Sequence, residues 1–200
     1  MFSNFFKHDY SKVFSVMAVG AALGLLASFV LSVEAVELAK NSNAVLPCDI
    51  NAALSCGAVG KHDTASILGF PNAFIGVVSF SVMLTVAMAG LMGAKLPKMF
   101  MYLAWAGGML GFVAATWMFL VSYLVIGTLC PWCLITDIAV LGVLWALTRY
   151  NILENNLYAS KKIQKKLSQI VKKNYDTVAF VSIIFVAILA IIIKFGSQLL

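Results

Sequence analysis

The sequence predicts an all-α membrane protein: a four-helix transmembrane bundle followed by a fifth transmembrane helix. Three observations predict it. The 200-residue chain is 62% hydrophobic and 11% charged, whereas soluble domains run near about 45–50% apolar and about 25% charged. Five apolar runs approach or exceed the ~20 helical residues that cross a ~30 Å hydrocarbon core. None of the runs shows the alternation of barrel strands, and only helices or closed barrels satisfy the backbone in lipid.

The first run is Val13–Val33, preceded by Lys7 and Lys12. Its basic start fits a secretory signal, but it is longer than an h-region of about 7–15 residues, so it reads as a retained helix. The second, Phe74–Ala94, is entered through Gly69-Phe70-Pro71-Asn72. Asn72 there is either the helix N-cap or a hydrogen-bond donor to a ligand carbonyl. The third run is Met99–Ile126, the fourth Cys130–Thr148 and the fifth Val178–Ile193. Pro131 suits a first helical position, where its missing N–H costs nothing. Gly20/Gly24 and Gly107/Gly111 are small-xxx-small pairs, which allow close helix contact. The chain then divides into a tail (1–12), a redox core (13–153) with an outer loop (34–70), a basic segment (154–177) and a last helix (178–200).

Charge placement orients the bundle. With five alternating helices, Lys7, Lys12, Lys95, Lys98, Arg149 and the lysines at 161, 162, 165, 166, 172 and 173 share one side. The other side receives Lys40 and Lys61, with Lys194 at the end of the last run. The positive-inside rule puts the first group in the cytoplasm. The net charge of +6 is thereby read as loop placement rather than nucleic-acid binding. Within Lys161–Lys173, Ile163, Leu167 and Ile170 recur at helical spacing, which suits a helix on anionic membrane lipid or a solvated linker.

Four cysteines fall into two pairs, Cys48/Cys56 in the outer loop and Cys130-Pro131-Trp132-Cys133 opening the fourth run. A CxxC at a helix start is a redox arrangement, because the helix N-terminus favours a thiolate at Cys130. Both pairs face the outer, oxidising side, so together they suit a relay; the bland reading is a structural staple. A tetrahedral zinc site is disfavoured by the wide Cys48/Cys56 spacing, so no metal is expected. Asp137 follows Cys133 by one helical turn on the same face. An acid inside a membrane helix is a functional candidate by default, here as a proton donor; otherwise it is hydrogen-bonded to Thr116 or Ser122. Among Trp105, Trp117, Phe119, Tyr123 and Trp132, most suit packing or the interface belt, with Trp117 and Tyr123 taken as candidates to line a flat apolar ring.

The order Cys48-Asp49…Cys56, then Gly69-Phe70-Pro71-Asn72, then Cys130-Pro131-Trp132-Cys133 resembles the bacterial branch of the vitamin K epoxide reductase family, over roughly Val13 to Arg149. The resemblance implies a four-helix bundle around a quinone (ubiquinone or menaquinone) in the bacterial inner membrane. It implies Cys48 and Cys56 as the shuttle pair and Cys130 and Cys133 as the quinone-side pair. Asn72 matches a quinone hydrogen-bonding position and Asp49 the acid after the first loop cysteine. His62 stands where many members carry serine or threonine, with Thr64 and Ser66 nearby, and Asp137 stands where some animal members carry tyrosine. A fused thioredoxin-like domain, common in bacterial members, is not expected here, so the partner is a separate periplasmic thioredoxin-fold thiol oxidase. The expected function is quinone-dependent thiol oxidation supporting disulfide formation. The alternatives are a quinone or quinone-epoxide reductase, an outward carrier of reducing equivalents, which would need cysteines on the basic side, and a non-catalytic, disulfide-stapled membrane protein.

Overall fold

A computed structural model describes residues 8–199; Lys7 and the rest of the expected tail before residue 8 lie outside them. The elements in order are α1 (His8–Lys40), α2 (Cys56–Gly60), a 3₁₀ turn (Asp63–Ser66), α3 (Ala73–Leu91), α4 (Lys98–Val121), a π-turn (Ser122–Ile126), α5 (Pro131–Leu153), α6 (Lys161–Lys172) and α7 (Tyr175–Leu199). Among the described residues, α1, α3, α4 with its π-turn, α5 and α7 are long and apolar enough to cross a membrane. The chain is thus a multi-pass helical membrane protein.

α1 is the centre of the bundle. It packs α3 on one side and α5 on the other, and α5 packs α4 in turn, while α3 and α4 scarcely touch. Lipid is as apolar as leucine, so helix association here depends on close packing. α1 contributes Val13, Phe14, Met17 and Ala21 to the main buried cluster, and Gly24 lies flat against the Phe80 ring, where a Cβ would collide. Gly20 faces the Ala139 carbonyl at ordinary contact distance, so a Cβ would fit there. Gly107 and Gly111, expected to make the same kind of contact, instead face open space. They widen the gap between α3 and α4 rather than close it.

The 33 residues of α1 extend ~50 Å at 1.5 Å each, well beyond a ~30 Å core. The outer loop therefore starts after Lys40 rather than at Glu34, and the last turns of α1 rise beside it. At the opposite end, Asn151 Nδ2 donates to the Met101 and Leu147 carbonyls, at 3.1 and 2.8 Å, and Trp105 donates to Thr148. The Arg149–Asp176 ion pair, 2.9 Å, ties α5 to α7 there. α6 lies between them with Val171 buried and Ile163 and Ile170 exposed.

Candidate redox site

The outer loop is shaped around Asp49. Its Oδ1 accepts from the Ser55 hydroxyl (2.6 Å) and the Gly57 N–H (2.8 Å), and its Oδ2 from the Leu46 N–H (2.8 Å). Burial pushes the Asp49 carboxyl up, but these donors and the charge of Lys61 outweigh it and hold the group below its ordinary value. Ser55 caps α2 through the Ala58 N–H, which sets Cys56 at the first helical position. Cys48 and Cys56 are joined by a disulfide, S–S 2.03 Å.

A backbone bridge then docks this loop onto the second pair. Leu54 and Leu129 form an isolated parallel bridge. The Ser55 N–H donates to the Leu129 carbonyl at 2.9 Å, and the Leu129 N–H to the Ala53 carbonyl at 2.8 Å. Thr128 Oγ1 adds a bond to the Ala52 carbonyl. One residue beyond the bridge on each side stand Ser55 and Cys130, so Cys56 is brought onto Cys130. The Cys130 thiol donates to Cys56 Sγ across 3.4 Å. Cys130 is also the N-cap of α5, accepting from the Cys133 N–H at 3.2 Å, with Pro131 at the first helical position as expected. Burial by position is the reverse of simple helix depth: Cys130 is enclosed beneath the loop, at 2% exposure, while Cys133 is less covered and opens into a cavity.

That cavity fills the gap between α3 and α4. It has a volume of ≈ 730 Å³ and is walled by apolar side chains including Phe80, Met83, Met118, Phe119, Leu134 and Val140. Ligand pockets span about 300–1,000 Å³, with apolar walls and a few convergent polar groups. Here the polar groups include Thr64, Ser66, Asn72, Cys133 and Asp137, and Glu34 lies on the same wall. A quinone ring with its apolar tail fits this combination of volume, lining and cysteine.

Sequence reasoning and structure agree on some of these residues and part on others. Cys133 and Asp137 do share the cavity face. Asp137 makes no hydrogen bond to Thr116 or Ser122, and the described residues give it no other partner. Asn72 stands at the start of α3 but does not cap it. Its Nδ2 donates to the Thr64 carbonyl at 2.7 Å and approaches Met118 Sδ, and its Oδ1 accepts from the Ile67 N–H. The amide therefore fixes the loop over the cavity and lines it. Trp117 and Tyr123 do not line it. Trp117 points outward, 44% exposed, because the cavity-facing stripe of α4 runs through Gly107, Gly111, Ala115 and Met118. Tyr123 turns to α7 on the π-turn, donating to the Ala190 carbonyl at 3.1 Å and stacking edge-on against Phe195. Phe119 is the aromatic of that group that reaches the cavity. His62 caps the 3₁₀ turn through the Thr64 N–H, and Thr64 and Ser66 are among the hydroxyl residues on the cavity, with Ser28, Ser79, Ser122 and Thr136.

Glu34 was missed. It is buried, 8% exposed, on the last turns of α1, and its Oε1 lies 3.2 Å from Cys48 Sγ. The signal was an acid at the end of an apolar run, overlooked because the loop was started there. Glu34, Cys48 and Cys56 each bring a ligand-type atom within 4.8 Å of the others, but the two sulfurs are spent in the disulfide, so this is no metal site in the state described.

A disulfide in contact with a thiol on the wall of an apolar membrane cavity defines a membrane redox protein. Its lineage is specific: residues 15–148 match the model of the vitamin K epoxide reductase family, and the chain belongs to that family. No curated protein sequence matches the chain. The family is one of quinone-linked membrane oxidoreductases.

Proposed function

We propose that the chain oxidises a separate, reduced thioredoxin-fold thiol oxidase on the outer side of a bacterial inner membrane and passes the electrons to a quinone. The observation that carries this reading is the 3.4 Å contact between Cys56 and Cys130, with Cys133 open to the cavity. A merely structural pair of staples has no need of sulfur contact between the pairs.

Cys56 is committed to Cys130, which leaves Cys48 for the partner. A partner thiolate attacks Cys48 Sγ, the Cys48–Cys56 bond breaks, and Cys56 keeps the electron pair. Cys56 then attacks Cys130 of an oxidised Cys130–Cys133 pair, and Cys133 leaves as the thiolate. The partner's second thiol closes its own disulfide and releases Cys48, which attacks Cys56 and frees Cys130. The outer disulfide is restored, and the inner pair has gained two electrons. Each exchange is thiolate attack through a mixed disulfide, so access and leaving-group acidity set its rate. A quinone in the cavity supplies a two-electron, two-proton acceptor. Asn72 would turn toward it the amide N–H that now faces Met118 Sδ, Phe80, Met118 and Phe119 would hold its ring and tail, and Asp137 would hold a proton one turn from Cys133. Positive-inside placement of the lysines around α6 supports this orientation.

The test mixes purified protein, a reduced thioredoxin-fold dithiol protein and a short-chain quinone while quinone absorbance is followed. One quinone consumed per partner disulfide formed is the expected result. Partner oxidation that proceeds equally well without quinone would overturn the reading.

A further inference from the structure

Glu34 touches the outer disulfide, and the exchange steps above give it no task. Its Oε1 is 3.2 Å from Cys48 Sγ, within 4.8 Å of both sulfurs as a group. Its Oε2 is buried without a hydrogen-bond donor among the described residues. No cation pairs with it there. In the disulfide Cys48 carries no hydrogen, so a hydrogen on the line from Oε1 to Cys48 Sγ belongs to the carboxyl. A buried polar group kept without full hydrogen bonding is costly, and its position against a reacting sulfur gives it a use.

We infer that Glu34 is the proton carrier of the outer pair, holding the proton of Cys48 while that sulfur is in a disulfide. When the partner's second thiol closes the partner disulfide, the bond between Cys48 and the partner sulfur breaks. Cys48 takes the electron pair, and the proton passes from Glu34 to Cys48 Sγ. When Cys48 then attacks Cys56, the Cys48 S–H bond breaks, the proton returns to Glu34, the Cys48–Cys56 bond forms and Cys130 leaves with the electron pair. Glu34 ends the cycle with the proton it began with, the proton of the partner's second thiol passes to solvent, and no buried thiolate waits at Cys48. The inference deepens the thiol-oxidase reading and rests on it for the direction of flow.

The experiment uses the purified full chain and dithiothreitol, with no quinone and no protein partner, so its outcome is separate from whether the chain oxidises a thioredoxin-fold protein. Reduction of Cys48–Cys56 by dithiothreitol, and its reclosure with oxidised glutathione, are followed by thiol-alkylation gel shifts in H2O and D2O. Positioned acid–base groups contribute about 10²–10⁴-fold, so Glu34→Gln should slow both directions ~100-fold. The wild type should show a normal solvent isotope effect that the Gln variant loses. Glu34→Asp, which keeps a carboxyl on a shorter stem, should fall between them and keep the isotope effect. An unchanged rate in Glu34→Gln, or a slowed rate with the isotope effect intact, would overturn the inference and leave Glu34 a packing residue. If the Gln variant does not fold, the wild-type isotope effect decides, and its absence overturns the inference.

Discussion

Asp49 lies one residue from Cys48, yet the structure gives its carboxylate to the loop backbone and Ser55 rather than to sulfur. Its carboxyl is held below the ordinary value in the folded chain. The stabilisation is therefore complete above the unfolded carboxylate range, near about 4, and is lost as pH falls through the folded value. Amide exchange at Leu46 and Gly57, taken relative to its intrinsic rate at each pH, should accelerate on acidification below that range. In Asp49→Asn it should be fast already at neutral pH, by roughly 1–3 kcal/mol of lost charged hydrogen bonding, and should change little with acid. Asp137 makes the second prediction. It lies on the cavity with Cys133 and no partner, so Asp137→Asn should slow quinone reduction about tenfold or more while gel-monitored exchange among the four cysteines is unchanged. Normal stopped-flow quinone kinetics in that variant would remove its proton role. At this scale the shared placement of Cys130, Cys133 and Asp137 on the cavity was legible from their spacing. It was not legible for Glu34, Trp117 and Tyr123, whose facing depends on helix rotation and on where α1 ends.

Each helix contributes to the site by position more than by composition. α7 shows this best, since its place outside the four-helix core left its role open. Phe195 is buried to 2% exposure with Leu129, a member of the bridge that joins the two cysteine pairs, and Ala53, which flanks it. Tyr123 on the π-turn holds α7 from the other side, and Lys194 bonds the Tyr123 carbonyl. α7 is a buttress for the Leu54–Leu129 bridge. Phe195→Ala opens a cavity worth about 3–5 kcal/mol in a packed core. It should slow exchange between the outer and inner pairs in a quenched-flow alkylation assay while quinone reduction by a pre-reduced inner pair stays at the wild-type rate. The helices themselves were legible from apolar length. The π-turn and the open Gly107/Gly111 stripe were not, because a run of apolar residues reads alike whether it packs against a helix or lines a cavity.

The whole molecule is a row of helices, α3–α1–α5–α4, curled so that its two ends leave a cavity between them, with the two cysteine pairs across one mouth. The basic loops, α6 and the Arg149–Asp176 pair gather at the other end. Membrane class, helix number and the sidedness of cysteines against lysines all follow from composition and order, because lipid imposes them on any sequence that crosses it. The docking of the outer loop onto the α5 start was not legible, since it rests on a single backbone bridge with no sequence signature. The proposed relay depends on that docking, and the direct measurement is disulfide mapping in Cys48→Ser/Cys133→Ser, which leaves Cys56 and Cys130 as the remaining thiols. After mild oxidation, proteolysis and mass spectrometry should find those two cysteines joined in nearly every molecule, as their 3.4 Å contact requires. Recovery of both as free thiols under conditions that oxidise the wild-type pairs would contradict the relay.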